Sequence, residues 1–254
     1  MPIYKTPAIV MHSLPYGEVD KIVTLYTLDF GKIKGIAKGA KRSRRRFGNI
    51  LEICSYILLA FFEKESGGLV RLSHGELISS FEGLRENIHK LAWASYFLEL
   101  VNEMTAERVP NQQIFYLLLA GLKIINRGKL QEEIIRIFEM RLLAHSGYQP
   151  FLDCCLRCRK NLTKEGGYFS PEEGGIICLR CGQNLPNLIP VSLGTIKTLI
   201  LAQNLPLERI NRLNFSAQSL RESAVVLSLF LGKYLGKELK SKKFFDQLSL
   251  SSAS

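Results

Sequence analysis

The sequence predicts an α+β chain: an N-terminal barrel of five short strands, then an α-helical domain with an inserted zinc-ribbon-like module. Three observations carry that prediction. Over the first 80 residues apolar positions alternate in short runs bounded by turn residues, the pattern of strands. From Glu82 onward they recur at three- and four-residue spacings, the pattern of helices. Within the helical part, five of the six cysteines fall between Cys154 and Cys181. The expected domains are 1–80 (barrel), 81–147 (first helical part), 148–188 (four-cysteine module) and 189–254 (second helical part, with a basic C-terminal helix).

Ala8 to His12 is a short apolar strand ended by the turn chemistry of Ser13, Pro15 and Gly17. Lys21 to Thr27 is rich in β-branched and aromatic residues and places Ile22, Thr24 and Tyr26 on one face. Asp29-Phe30-Gly31 turns the chain into a lysine-bearing third strand. Ile50 to Phe62 reads as one long apolar strand with Cys54 as a small buried residue, and Gly67-Gly68 turns it into Leu69 to Ser79. Five short, mostly antiparallel strands in so little chain fit a closed barrel better than a sandwich. The five-stranded oligonucleotide-binding (OB) barrel is the natural candidate.

The most charged stretch lies inside that barrel. Gly31 to Gly48 holds Lys32, Lys34, Lys38, Lys41, Arg42, Arg44, Arg45 and Arg46 with no acidic residue among them. A solvated loop is the bland account of such a run. In a strand, however, Lys32, Lys34 and Lys38 share one face, with Ile33, Gly35 and Ala37 opposite. A lysine stripe that continues into an arginine loop suits a phosphodiester backbone, which rewards counterion release. Tyr26, Phe30 and Phe47 lie beside it as rings that bases can stack on, although burial in the barrel core is the commoner fate of such rings.

These residues also carry a resemblance. Gly17-Glu18-Val19-Asp20, the Thr27 to Gly31 hairpin and the Ala37 to Arg42 loop match the G-E-x-D, T-x-x-x-G and A-K-G-A-[KR]-R features of the RecO family of bacterial DNA repair proteins. The arginine-rich Ser43 to Arg46 departs from that pattern. The resemblance implies an OB barrel followed by a helical domain with a zinc module. It also implies binding of single- and double-stranded DNA, annealing of complementary strands, and work with RecR in loading RecA onto strands coated by single-stranded DNA-binding protein (the RecFOR pathway). No motif marks the surfaces that would meet RecR or single-stranded DNA-binding protein.

From Glu82 a helix carries Leu84, Ile88, Leu91, Ala92 and Leu98 towards Met104, and Val109-Pro110-Asn111 breaks the pattern. Gln112 to Asn126 is apolar nearly all round, as a buried helix is, and Gly128 ends it. Leu130 to His145 is amphipathic. Ser192 caps a helix to about Gln203, and Ser216 caps a longer one over Ala217 to Lys240. Its Lys237 to Lys243 tail is a second basic patch that equally complements a helix dipole. Ser249 to Ser254 should fray. His74 and His145 have no paired carboxylate or nucleophile motif and receive no role.

Cys155-Leu-Arg-Cys158 and Cys178-Leu-Arg-Cys181 are two C-x2-C knuckles separated by nineteen residues. A two-residue gap lets both thiolates of a knuckle face one ion, and two knuckles complete a tetrahedral zinc site with Zn–S near ~2.3 Å. Four cysteines leave no open position for water, so one structural Zn2+ is expected rather than a catalytic one. Cys154 has the wrong spacing for a knuckle and is left out. Arg157, Arg159, Lys160 and Arg180 on the knuckles are solvated charge in the plainest reading.

Composition narrows the function. The net charge is +11 and hydrophobic residues make up 46%, so the chain has material for a core and a polycationic surface. The excess is uneven: residues 1–80 carry +5 (12 basic, 7 acidic) and residues 191–254 carry +5 (9 and 4), whereas 81–147 is neutral (8 and 8). Such asymmetry suits a polyanion binder. No apolar run reaches the roughly 18 residues of a membrane helix, and no secretory signal opens the chain. Clustered cysteines fit a reducing cytoplasm, and the RecO resemblance implies a bacterial protein associated with the nucleoid. A non-enzymatic DNA-binding mediator is therefore the leading expectation, consistent with the lack of a G-x-x-x-x-G-K-[ST] loop. An RNA-binding or transcription-associated zinc-ribbon protein, and a zinc-dependent nucleic-acid enzyme, are the alternatives. Affinity for matched DNA and RNA strands separates the former, and turnover lost on chelation of folded protein would reveal the latter.

Overall fold

In the computed structural model the chain is described over residues 2–43, 45–63, 68–128, 130–205 and 213–244. It forms two compact units, Met1–Lys129 with Leu239–Ser254, and Leu130–Glu238. The helical stretch expected over 81–147 is thereby shared out. Its first helices belong with the barrel and its last with the cysteine module.

The first unit is built on a closed barrel in the order β1-β2-β3-β5-β4. The strands are β1 (Ile3–Tyr16), β2 (Asp20–Thr27), β3 (Gly31–Ala37), β4 (Tyr56–Phe62) and β5 (Val70–Ser79). All pairings are antiparallel except β3 with β5, which meet in parallel at Gly35–Val70 and Ile36–Arg71. Alternation sends Ala8, Val10, Val23, Leu25, Ile33, Ile57, Leu59 and Phe61 into one core. β1 runs through Ser13 and Pro15 up to Gly17, because its bulge between Val10 and His12 bends the strand across two neighbours in succession.

One strand expectation is corrected here. The apolar run Ile50 to Phe62 is not one strand: residues up to Cys54 form turns, and only Tyr56 to Phe62 pairs. Cys54 adopts a positive φ of 69° while its N–H reaches the Val10 carbonyl at 2.9 Å. It is buried all the same, and that burial pushes its thiol up to about 12. The Asp29–Gly31 turn is held by Thr27, whose Oγ1 donates to the Gly31 carbonyl (2.9 Å) and accepts from the Phe30 N–H (3.0 Å). Gly31 sits at φ +63°, and a Cβ there would lie 2.2 Å from the Val109 carbonyl oxygen. The T-x-x-x-G spacing thus encodes a close approach that no side chain permits.

The single helix expected from Glu82 to Met104 is two: α1 (Glu82–Arg85) and α2 (Ile88–Met104), parted by Asn87. Asn87 Oδ1 caps α2 by accepting from the N–H groups of His89 (2.9 Å) and Lys90 (3.3 Å). Asn111 likewise caps α3 (Gln112–Arg127) through the Ile114 N–H at 3.1 Å. α3 is not apolar all round in place, for Gln113, Tyr116 and Lys123 form an exposed edge. The chain returns to this unit at Leu239, which is buried. There Glu99 of α2 accepts from the N–H groups of Lys240 (3.1 Å) and Ser241 (2.8 Å) and from the Ser241 hydroxyl, capping the helical residues 240–244.

The second unit holds α4 (Glu132–His145), α6 (Leu193–Asn204) and α7 (Ala217–Leu235), which pack together. Beside them lies the sheet β7-β6-β8, made of β6 (Gly167–Ser170), β7 (Gly175–Cys178) and β8 (Ile189–Val191), with the short helix α5 (Leu179–Gly182). Ser192 caps α6 as expected, accepting from the Thr195 N–H at 3.3 Å. α7 stops at Leu235, short of the expected Lys240, because Gly236 turns left-handed and donates to the Gly232 carbonyl (3.0 Å). Residues 249–254, expected to fray, lie outside the described residues.

Candidate nucleic-acid interface and metal centre

The basic stretch divides into two environments. Within β3, Lys32 and Lys34 do share the outer face, and Ile33, Gly35 and Ala37 turn inward. That face is not a free stripe. Lys32 is 8% exposed and its Nζ donates to the Asn102 carbonyl, so it is enclosed by the helical part of its own unit. Lys34 is exposed but ion-paired with Glu107, and the hydrogen bond from Lys34 holds the Glu107 carboxyl below its ordinary range. The cause lies in tertiary packing: the Arg108 N–H bonds the Lys32 carbonyl at 2.9 Å, laying that segment along the β3 edge.

Beyond Ala37 the picture changes. Lys38, Lys41, Arg42, Arg45 and Arg46 are exposed, and none of the five pairs with a carboxylate among the described residues. Arg44 lies outside the described residues. The loop is held by backbone and capping contacts instead. Asp20 Oδ1 accepts the Gly39 N–H at 2.7 Å, the Lys41 N–H donates to the Val19 carbonyl at 3.0 Å, and Lys41 Nζ donates to the Gly17 carbonyl at 2.8 Å. Arg46 donates to the Lys38 carbonyl (2.8 Å) and to Ser43 Oγ (3.2 Å), and lies over the Phe47 ring at 5.3 Å. Phe47 itself is buried in the barrel core and anchors the far end of the loop. The G-E-x-D turn and the A-K-G-A loop are therefore halves of one structure.

The rings singled out for stacking are not available for it. Tyr26 is buried, which pushes its phenol up to about 12, and Phe30 packs edge-on against Tyr4 and Phe61. Phe47 has the role just given. Exposed rings were missed because they lie outside the basic run. Tyr16, at the end of β1, is 54% exposed. In the C-terminal basic patch, the backbone of Lys240 is engaged by Glu99, which positions that segment on its unit.

Cys155, Cys158, Cys178 and Cys181 converge with all four sulfurs within 4.8 Å of one another, and Cys154 stays outside the cluster. The first knuckle is pinned to β7 by the Leu156 N–H on the Ile176 carbonyl (2.8 Å); the second spans the end of β7 and α5. Gly182 follows it because a Cβ there would sit 2.5 Å from the Tyr168 ring. Tetrahedral Zn–S bonds near 2.3 Å require sulfurs about 3.8 Å apart, and Cys158 Sγ and Cys178 Sγ are 3.8 Å apart. Burial works against ionisation of Cys155, yet the N–H groups of Cys158, Cys178 and Arg157 prevail and bring it down to about 6. Cys181 is pushed up to about 12 by its hydrogen bond with Cys178, by burial and by the other sulfurs. Four thiolates crowded together repel, and a divalent cation relieves that repulsion. The residues present fit one metal ion. Arg157, on the first knuckle, is engaged by Glu173 at 2.8 Å rather than free for phosphate.

The chain matches known proteins along most of its length. The family described as Recombination protein O N terminal matches residues 1–81, and Recombination protein O C terminal matches residues 85–243. The DNA repair protein RecO of Syntrophus aciditrophicus is 40% identical over 248 residues, 96% of each chain. That of Bacillus subtilis is 34% identical over 245 residues, covering 96% of this chain and 94% of its own. No helix among the described residues is long and apolar enough to cross a membrane. With both halves matched and relatives of 34% and 40% identity covered over nearly their whole length, the chain belongs to the RecO family.

Proposed function

We propose that this chain is a non-enzymatic mediator of recombinational DNA repair that binds single- and double-stranded DNA through the loop after β3. The observation that carries the proposal is the set of Lys38, Lys41, Arg42, Arg45 and Arg46, exposed and without carboxylate partners among the described residues, on a loop braced at Gly39 and Phe47. Arg44 belongs to the same run by sequence. Lys34 is a peripheral member whose pairing with Glu107 must open before it meets phosphate, and the enclosed Lys32 supports the barrel instead. Contacts of this kind are made to phosphates and carry no base code.

The same proposal, supported by the likeness to the RecO family, has the chain anneal complementary strands and, with RecR, help RecA replace single-stranded DNA-binding protein, in the cytoplasm at the nucleoid. A loop that neutralises two backbones at once lowers the repulsion that opposes their pairing, with no need for nucleotide hydrolysis. Zn2+ held by Cys155, Cys158, Cys178 and Cys181 would cross-link the two knuckles and stabilise the second unit. A binding curve across salt concentrations on single- and double-stranded DNA, with bound zinc quantified in the same sample, tests the proposal. Steep salt dependence on both forms is expected, and salt-independent or absent binding overturns it.

A further inference from the structure

We infer that Tyr16 is a stacking platform for unpaired bases, so that its ring selects single strands while the adjoining loop holds phosphates of either form. The inference rests on the nucleic-acid reading of that loop. One exposed aromatic residue is ordinary on any protein surface. Tyr16 differs through its setting. It closes β1 opposite Asp20, the residue whose carboxylate holds the Gly39 N–H, and the next residue, Gly17, accepts from Lys41 Nζ. The hairpin that carries Tyr16 is thus tied to the basic loop by two hydrogen bonds, one accepted by Asp20 and one by Gly17.

The neighbouring surface has matching chemistry. Leu14, two residues earlier and on the same outer face by alternation, is 51% exposed and pairs with Ile22, which pairs in turn with Ile36. Beyond Ile36 lies the exposed Arg71 of β5. An apolar strip with a ring at one end and cations at both ends offers a π-face and phosphate contacts within one surface. The other rings near the basic stretch, Tyr26, Phe30 and Phe47, are occupied in packing. A duplex keeps its base faces inside its own stack, so only an unpaired strand can use such a ring. Stacking is also indifferent to sequence, because every base has a π-face.

The test measures binding of the full chain and of Tyr16→Ala and Tyr16→Phe variants to labelled oligo-dT and to a mixed-sequence duplex of equal length, across a salt series. Tyr16→Ala is expected to weaken oligo-dT binding roughly tenfold, to leave duplex binding unchanged and to preserve the slope against salt, since no phosphate contact is lost. Tyr16→Phe keeps the ring and is expected to bind as the parent does. Equal losses on strand and duplex, or no loss on oligo-dT, would overturn the inference and assign the exposed strip to another partner, such as a protein. If the parent chain bound neither form, the phosphate-loop proposal itself would fall, a result separable from failure at Tyr16 alone.

Discussion

Asp20 and Gly39 meet across two hairpins: the carboxylate at the start of β2 accepts the loop N–H at 2.7 Å, although the two lie nineteen positions apart in the sequence. The charged acceptor strengthens the bond and ties the G-E-x-D turn to the basic loop.

Removing that tie is expected to loosen the loop without unfolding the barrel. Asp20→Ala should cost about 1.5 kcal/mol and expose the Gly39 amide to faster hydrogen exchange. DNA affinity should fall severalfold while the far-ultraviolet spectrum stays the same.

Charge reversal at the exposed arginines isolates the electrostatic contribution. Arg45→Glu with Arg46→Glu is expected to weaken binding alike for all sequences and to reduce the duplex salt slope by roughly two units, near 0.9 for each lost phosphate contact. Affinity unchanged at moderate salt would rule the loop out as the contact surface.

Lys32 should behave as a scaffold residue. Lys32→Ala leaves the part-buried Asn102 carbonyl without its ammonium donor, a loss of about 1–3 kcal/mol. A lowered denaturation midpoint with near-parental DNA affinity for the folded fraction is the expected pair of results.

Chelation, or Cys155→Ser, is expected to destabilise the second unit before it affects DNA binding. A loss of at least ~2 kcal/mol would lower its melting temperature by about 8 °C or more. Calorimetry alongside metal analysis reads both quantities. A fully stable, metal-free protein that lost only DNA binding would make the ion part of the interface.

Glu222 supplies a pH dependence. Burial raises its pKa, but hydrogen bonds with Thr195, Ser192 and Gln218 outweigh that and hold the carboxyl below its ordinary value. The folded state therefore favours the ionised form. This contribution is complete above the unfolded pKa of about 4.3 and is lost as pH falls through the lower folded value. Glu222→Gln should flatten acid unfolding in that window, measured by circular dichroism against pH.

Local chemistry in the sequence determined the barrel strands, the caps at Ser192 and Ser216, the knuckle spacing and the concentration of charge after β3. Each depends on near neighbours: alternation sets strand faces, a hydroxyl caps the turn beside it, and two intervening residues aim two thiolates at one point. Tertiary structure alone decided which cations remain available. Lys32 and Lys38 look alike in the sequence, yet one is enclosed beneath Asn102 and the other stands in solvent, because residues 102–108 fold back along β3. The same holds for the rings and for the start of the Ile50–Phe62 run, where Cys54 turns left-handed to meet Val10. Burial is a property of distant segments brought together, and no window along the chain contains both partners.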